Sequence, residues 1–99
     1  LEVEDGLNTI DAAMRAAEEK YGIRSFGITG YCMGGTFALR AACELENLSA
    51  AAPFYGDIPD EFTLKSLRCP VLFISGTEDK WINPEKVGEL ERISKENYL

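Results

Sequence analysis

The sequence predicts an α/β protein, a small parallel sheet of three strands with flanking helices. Three observations carry this expectation. Helix-patterned and strand-patterned segments alternate in the order α-β-α-β-(α)-β-α, and such alternation implies parallel strands joined by right-handed crossovers. The run Val71-Leu72-Phe73-Ile74 is uninterrupted and apolar, as in strands buried on both faces of a parallel sheet. A glycine-bracketed turn, Gly30-Tyr31-Cys32-Met33-Gly34-Gly35, joins a strand-like run to a helix-like one.

Taken in order, Val3, Leu7, Ile10, Met14, Ala17 and Tyr21 recur at helical spacing, so residues 3–21 read as an amphipathic helix. Gly22 follows as a C-terminal cap, and Glu18, Glu19 and Lys20 fall on the solvated side. Residues 25–29 form the first strand. The next helix runs from Met33 to about Leu45 and is apolar on most sides, as expected under covering neighbours. A second strand spans residues 49–55, with Pro53 marking a strand end or an irregular edge. Residues 56–60 are a loop by composition. Residues 61–67 form a short helix with Phe62, Leu64 and Leu67 as its apolar set. After the third strand comes a loop, and then Asn83 and Pro84 make an N-cap and first-turn pair for a last helix with Val87, Leu90 and Ile93 on one face.

A chain of 99 residues is at most one domain, and residues 1–99 read as one partial domain with room for one modest core. No apolar run approaches the roughly 18–20 residues of a membrane span. A net charge of −7 argues against nucleic acid and acidic membranes as partners. Cys32, Cys43 and Cys69 cannot all pair, and no metal-type spacing joins them. With an acidic N-terminus unlike a signal peptide, this favours a reducing cytoplasm. Neither a metal nor a cofactor is expected. Cys43 and Cys69 read as structural, and Arg24, Arg40 and Arg68 as solvated surface.

The chemistry concentrates at Cys32. A small-x-nucleophile-x-small pattern between a strand and a helix describes the nucleophile elbow of α/β-hydrolases, here with cysteine in place of serine. The elbow strains its central residue, so Gly30 and Gly34 are expected as nearly side-chain-free flanks, and Gly35 lets helix and strand approach. The Met33 N–H would supply half of an oxyanion hole, and the helix N-terminus favours an anion there. An inert buried thiol is the competing reading. Other glycine motifs fail: a P-loop needs a lysine where Gly35 stands, and Gly27, Gly30 and Gly34 have the wrong spacing for a dinucleotide fingerprint. Ligands of such sheets bind beyond the carboxyl ends of the strands, which puts Cys32 and Asp79 on the same rim. Asp79 follows Cys32 with room for one intervening βα unit, in the nucleophile-then-acid order of a hydrolase triad. Tyr31 and Trp81 border this rim as possible pocket lining.

The chain resembles the dienelactone hydrolase (carboxymethylenebutenolidase) family. The resemblance rests on Gly30-Tyr31-Cys32-Met33-Gly34-Gly35, Ala52-Pro53-Phe54-Tyr55-Gly56, Cys69-Pro70-Val71-Leu72 and Gly76-Thr77-Glu78-Asp79. It implies a partial α/β-hydrolase fold, ester or lactone hydrolysis of a small molecule, Cys32 as nucleophile and Asp79 as triad acid. The family's histidine lies beyond the triad acid, and this sequence contains no histidine. The family's early strands, the loop with the second oxyanion donor, and its substrate-contacting acidic and arginine residues have no counterpart here either. The sequence therefore reads as the middle-to-late portion of a larger hydrolase, inactive by itself, with one sheet edge unpaired. Two rival readings are an interaction module that self-associates or pairs through that edge and a redox-sensitive thiol protein.

Overall fold

A computed structural model describes residues 2–75, 84–97 and 99. Four helices and two strands are formed: α1 (Val3–Tyr21), β1 (Phe26–Tyr31), α2 (Met33–Glu44), β2 (Leu48–Phe54), α3 (Glu61–Leu64) and α4 (Pro84–Glu96). The order is the one the sequence predicts except that the expected third strand is reduced to isolated bridges, and α1 has the predicted bounds. Its end is set by Gly22 in the left-handed region (φ 70°), whose N–H donates to the Glu18 carbonyl at 2.9 Å, an arrangement that glycine adopts without a Cβ penalty.

β1 and β2 pair in parallel, with Gly30 opposite Pro53 and Tyr31 opposite Phe54. Residues 71–74 join β2 on its other side, also in parallel, but only at two points, Ala51 opposite Val71 and Phe54 opposite Ile74. Pro53 explains the interruption. Leu72 donates to the Ala51 carbonyl (2.9 Å), Ile74 to the Pro53 carbonyl (3.0 Å) and Tyr55 to the Ile74 carbonyl (2.7 Å). The rung missing from this ladder is the one a residue-53 N–H would make, and proline has none. Pro53 thus lies one residue before the end of β2, near the strand end its sequence suggested, but it is buried and flanked on both sides rather than at a sheet edge.

The core is one cluster running from Leu7 and Met14 of α1 through Leu39, Ala42 and Cys43 of α2 to Leu64, Leu67, Leu90 and Ile93. Leu39 and Ile93 are wholly enclosed, and each such side chain contributes about 1.5–3 kcal/mol on burial. α4 is tied to α3 by polar contacts as well. Arg92 reaches Glu61 at 3.1 Å, and the Asn97 amide donates to the Lys65 and Leu67 carbonyls at 3.2 and 3.1 Å. These bonds occupy carbonyls in the turn that ends α3, where intrahelical donors run out.

The helices cover one face of the sheet. On the other, Gly27, Thr29 and Tyr31 of β1 alternate outward, and an open, largely apolar groove runs over Thr29, Ala52 and Leu72. Two expectations fail here. Leu72 is 66 % exposed, so the 71–74 run is not buried on both faces. Phe62, expected in the apolar set of the short helix, is 86 % exposed while Leu64 and Leu67 are buried. α3 is barely one turn, so its apolar positions cannot all face α2.

Asp60 starts α3: its carboxylate accepts from the Thr63 N–H at 2.9 Å. The Thr63 hydrogen bonds hold the Asp60 carboxyl below its ordinary value because they favour the charged form. The stabilisation from this cap is therefore present above the unfolded aspartate pKa of about 3.9 and is lost as pH falls through the lower folded value. Asp60→Ala is expected to melt at a lower temperature than the wild type at pH 7, with the gap closing below about pH 4. Thermal melts of both proteins across that range check this.

Candidate active site

β1 runs directly into α2 through Cys32. The Cys32 backbone lies at φ 59°, ψ −116°, a region that L-residues enter only under constraint. The constraints are visible. The Cys32 N–H donates to the Phe54 carbonyl (3.1 Å), and its carbonyl accepts from the N–H groups of Gly35 (2.9 Å) and Thr36 (3.2 Å). Gly35 and Thr36 are thereby satisfied. The N–H groups of Met33 and Gly34, at the very start of α2, have no backbone acceptor among the described residues. They are the orphan donors that every helix N-terminus carries, and they lie beside the cysteine.

The close approaches differ in part from expectation. A Cβ at Gly30 would overlap the backbone of Gly34, and one at Gly35 would overlap the Tyr55 carbonyl oxygen, whereas one at Gly34 would meet nothing within 4 Å. Of the three glycines in the motif, the two that must lack a side chain are therefore Gly30 and Gly35. Gly34 was expected as the second flank, but although its backbone lies against Gly30, a Cβ on it would stand in open space.

Cys32 is exposed, whereas Cys43 and Cys69 are buried. Burial pushes the Cys43 thiol up to about 12 and raises that of Cys69 as well, since an apolar surround disfavours a thiolate. Both are inert core groups, as the sequence suggested. Tyr31 and Phe54, at the carboxyl ends of β1 and β2, stack with ring centroids 4.7 Å apart and 26° between planes. Tyr31 is 64 % exposed, so this pair forms an aromatic shelf next to the cysteine. The Met33 side chain is exposed too, leaving its N–H as the group of interest. Asp79 and Trp81 lie outside the described residues.

The sequence reading missed the segment after β2. Tyr55 (φ 44°) and Gly56 (φ 113°) turn the chain back over the elbow, and the Asp57 N–H donates to the Thr36 hydroxyl at 2.8 Å. The consecutive Gly56-Asp57 pair signalled a turn, but nothing local says that the turn lands on α2.

A parallel sheet whose strand turns directly into a covering helix, with a residue held at positive φ in the turn, is the core of an α/β-hydrolase fold. The fold is matched by the solved structure of m3DLH, with a TM-score of 0.68 and 23 % identity over 96 % of this chain and 45 % of that one. The chain belongs to the Dienelactone hydrolase family, which it matches over residues 1–98. It is 30 % identical to the mouse (Mus musculus) "Carboxymethylenebutenolidase homolog", covering 91 % of this chain and 37 % of that protein. It is 29 % identical to a Bradyrhizobium sp protein named "Probable 2-oxo-3-(5-oxofuran-2-ylidene)propanoate lactonase", covering 87 % of this chain and 40 % of that one. The chain thus spans less than half the length of these relatives. Among the described residues, no helix is long and apolar enough to cross a membrane.

Proposed function

We propose that this chain supplies the nucleophile and one oxyanion contact of a cytoplasmic ester or lactone hydrolase. The observation that carries the proposal is the Cys32 geometry: an exposed thiol on a strained turn, next to the Met33 N–H, which has no backbone acceptor among the described residues. In this reaction the Cys32 thiolate attacks the carbonyl carbon, and the oxyanion accepts from the Met33 N–H. The intermediate collapses to a thioester, expelling the alkoxide, which takes up a proton. Water then adds to the thioester, releasing the acid and restoring the thiol. Asp79 is the acid partner in this proposal, on chain order and family resemblance, and orients a histidine. The sequence has no histidine, so that base comes from outside these residues. Membership of the Dienelactone hydrolase family, and the lactonase named among the relatives, favour a lactone as substrate. The stacked Tyr31–Phe54 shelf is suited to a flat, conjugated one.

An activated ester provides the test. With p-nitrophenyl acetate, the chain is expected to release at most about one equivalent of p-nitrophenolate and to carry a single acetyl group on Cys32, with negligible turnover. Peptide mass spectrometry locates the acyl group. Acylation at buried Cys43 or Cys69 instead, or sustained turnover that survives Cys32→Ala, overturns the assignment.

A second reading is favoured by one observation: among the described residues β1 is an edge strand, and unpaired edges invite strand addition. Pairing of two copies through that edge would appear as a concentration-dependent dimer on sizing chromatography.

A further inference from the structure

The bend that follows β2 has no role in the chemistry proposed above, yet each of its residues touches the elbow. Tyr55 places its carbonyl against Gly35. Gly56 lies so close that a Cβ on it would stand 2.5 Å from the Cys32 carbonyl oxygen and 2.6 Å from the Thr36 nitrogen. The Asp57 N–H donates to the Thr36 hydroxyl, and the Tyr55 N–H is held by the Ile74 carbonyl at 2.7 Å. Residues 55–57 therefore run as a strap from the third sheet segment, across the back of Cys32, to the first turn of α2. We infer that Thr36 is a positioning residue: by accepting from Asp57 it fastens this strap and keeps Cys32 in its strained conformation.

The physical argument is one of constraint. A residue at φ 59°, ψ −116° relaxes toward an ordinary conformation unless its surroundings over-determine it. Relaxation means rotating the peptide that follows Cys32, and hence moving its carbonyl. That carbonyl is covered by Gly56, so it moves only if the strap lifts. Two bonds hold the strap down, one at each end. The Tyr55 end is backbone to backbone and independent of side-chain identity. The Asp57 end depends on the residue-36 side chain alone. The same fastening sets where Sγ and the Met33 N–H stand relative to each other, since both follow from the Cys32 torsions. This role rests on Cys32 being the nucleophile only in its consequence for chemistry; the backbone constraint stands separately.

The experiment compares wild type, Thr36→Val, Thr36→Ser and, as a control, Asp60→Ala, which loses the α3 cap to Thr63 but no bond of the strap. Two rates are read: amide hydrogen exchange at Cys32, Gly35 and Thr36, and acetylation of Cys32 by p-nitrophenyl acetate. Valine keeps the shape but removes the acceptor; serine restores it. Thr36→Val is expected to exchange these three amides about fivefold faster, the effect of one lost hydrogen bond, and to acetylate about fivefold more slowly. Thr36→Ser is expected to return both toward wild type. Asp60→Ala is expected to leave both within twofold, although its melting temperature falls. Exchange at the three amides within twofold of wild type in Thr36→Val overturns the inference whatever acetylation does. Equal acceleration in Asp60→Ala also overturns it, because the effect would then be global. A wild-type chain that takes no acetyl group removes the nucleophile assignment instead, and exchange alone then decides the strap.

Discussion

Gly35→Ala is expected to lower the melting temperature by roughly 12–24 °C, on a loss of about 3 kcal/mol. The added Cβ would overlap the Tyr55 carbonyl oxygen, with the Phe54 carbonyl oxygen 3.0 Å away. These are backbone atoms, so no side chain can swing aside. To make room, α2 must part from the end of β2, and with that movement the Cys32 N–H loses the Phe54 carbonyl. The matched control is the preceding residue. Gly34 has nothing within 4 Å of an added Cβ and no positive φ. Alanine is also the better helix former, by up to about 1 kcal/mol. Gly34→Ala is therefore expected to melt at or slightly above the wild-type temperature. Thermal circular dichroism of the two variants checks the pair; equal effects at both positions would mean that helix propensity, not contact with β2, governs this turn.

Cys32→Gly is expected to gain stability while losing all acylation. Holding a non-glycine residue in a sparsely populated backbone region costs of order 1–3 kcal/mol, and glycine removes that strain. The greater freedom of glycine in the unfolded chain offsets roughly 0.5–1 kcal/mol of the gain. A net stabilisation of about 1 kcal/mol, or a rise of roughly 4–8 °C in melting temperature, follows. Cys32→Ala also abolishes acylation but keeps the Cβ, and so keeps the strain. The difference in stability between the glycine and alanine variants, with the roughly 0.5–1 kcal/mol entropic offset added back, then measures how much strain the turn stores. A glycine variant less stable than the alanine one by about 0.5–1 kcal/mol would show that the turn carries none. The expected pattern is a trade of stability for a presented thiol, as at other sites where function needs a strained residue.

Much of this was legible in the chain. The periodicity of residues 3–21 and Gly22 determined α1 and its end, because helical spacing and a left-handed cap are local properties. The glycine-bracketed cysteine, between an apolar run and an alanine-rich helix, located the elbow for the same reason. Other readings failed where the deciding contact is distant. Leu72 lies in an apolar run, yet its side of the sheet is uncovered among the described residues. Phe62 follows the right spacing, but one turn of helix cannot bury three positions. Pro53 signalled a strand end or an irregular edge; it does lie next to the end of β2, but between β1 and residues 71–74, where the ladder forgoes one hydrogen bond at its nitrogen.

The sequence by itself determined which residue is presented, and that the presentation occurs between a strand and a helix. Both follow from patterns spanning a few residues, where backbone sterics act directly. Only the tertiary structure decided which glycines the turn cannot lose, and that the bend at Tyr55–Asp57 closes over the Cys32 carbonyl. Those facts depend on where the end of β2 stands against α2. Two segments more than 20 residues apart must pack before an atom of one can exclude, or hold, an atom of the other.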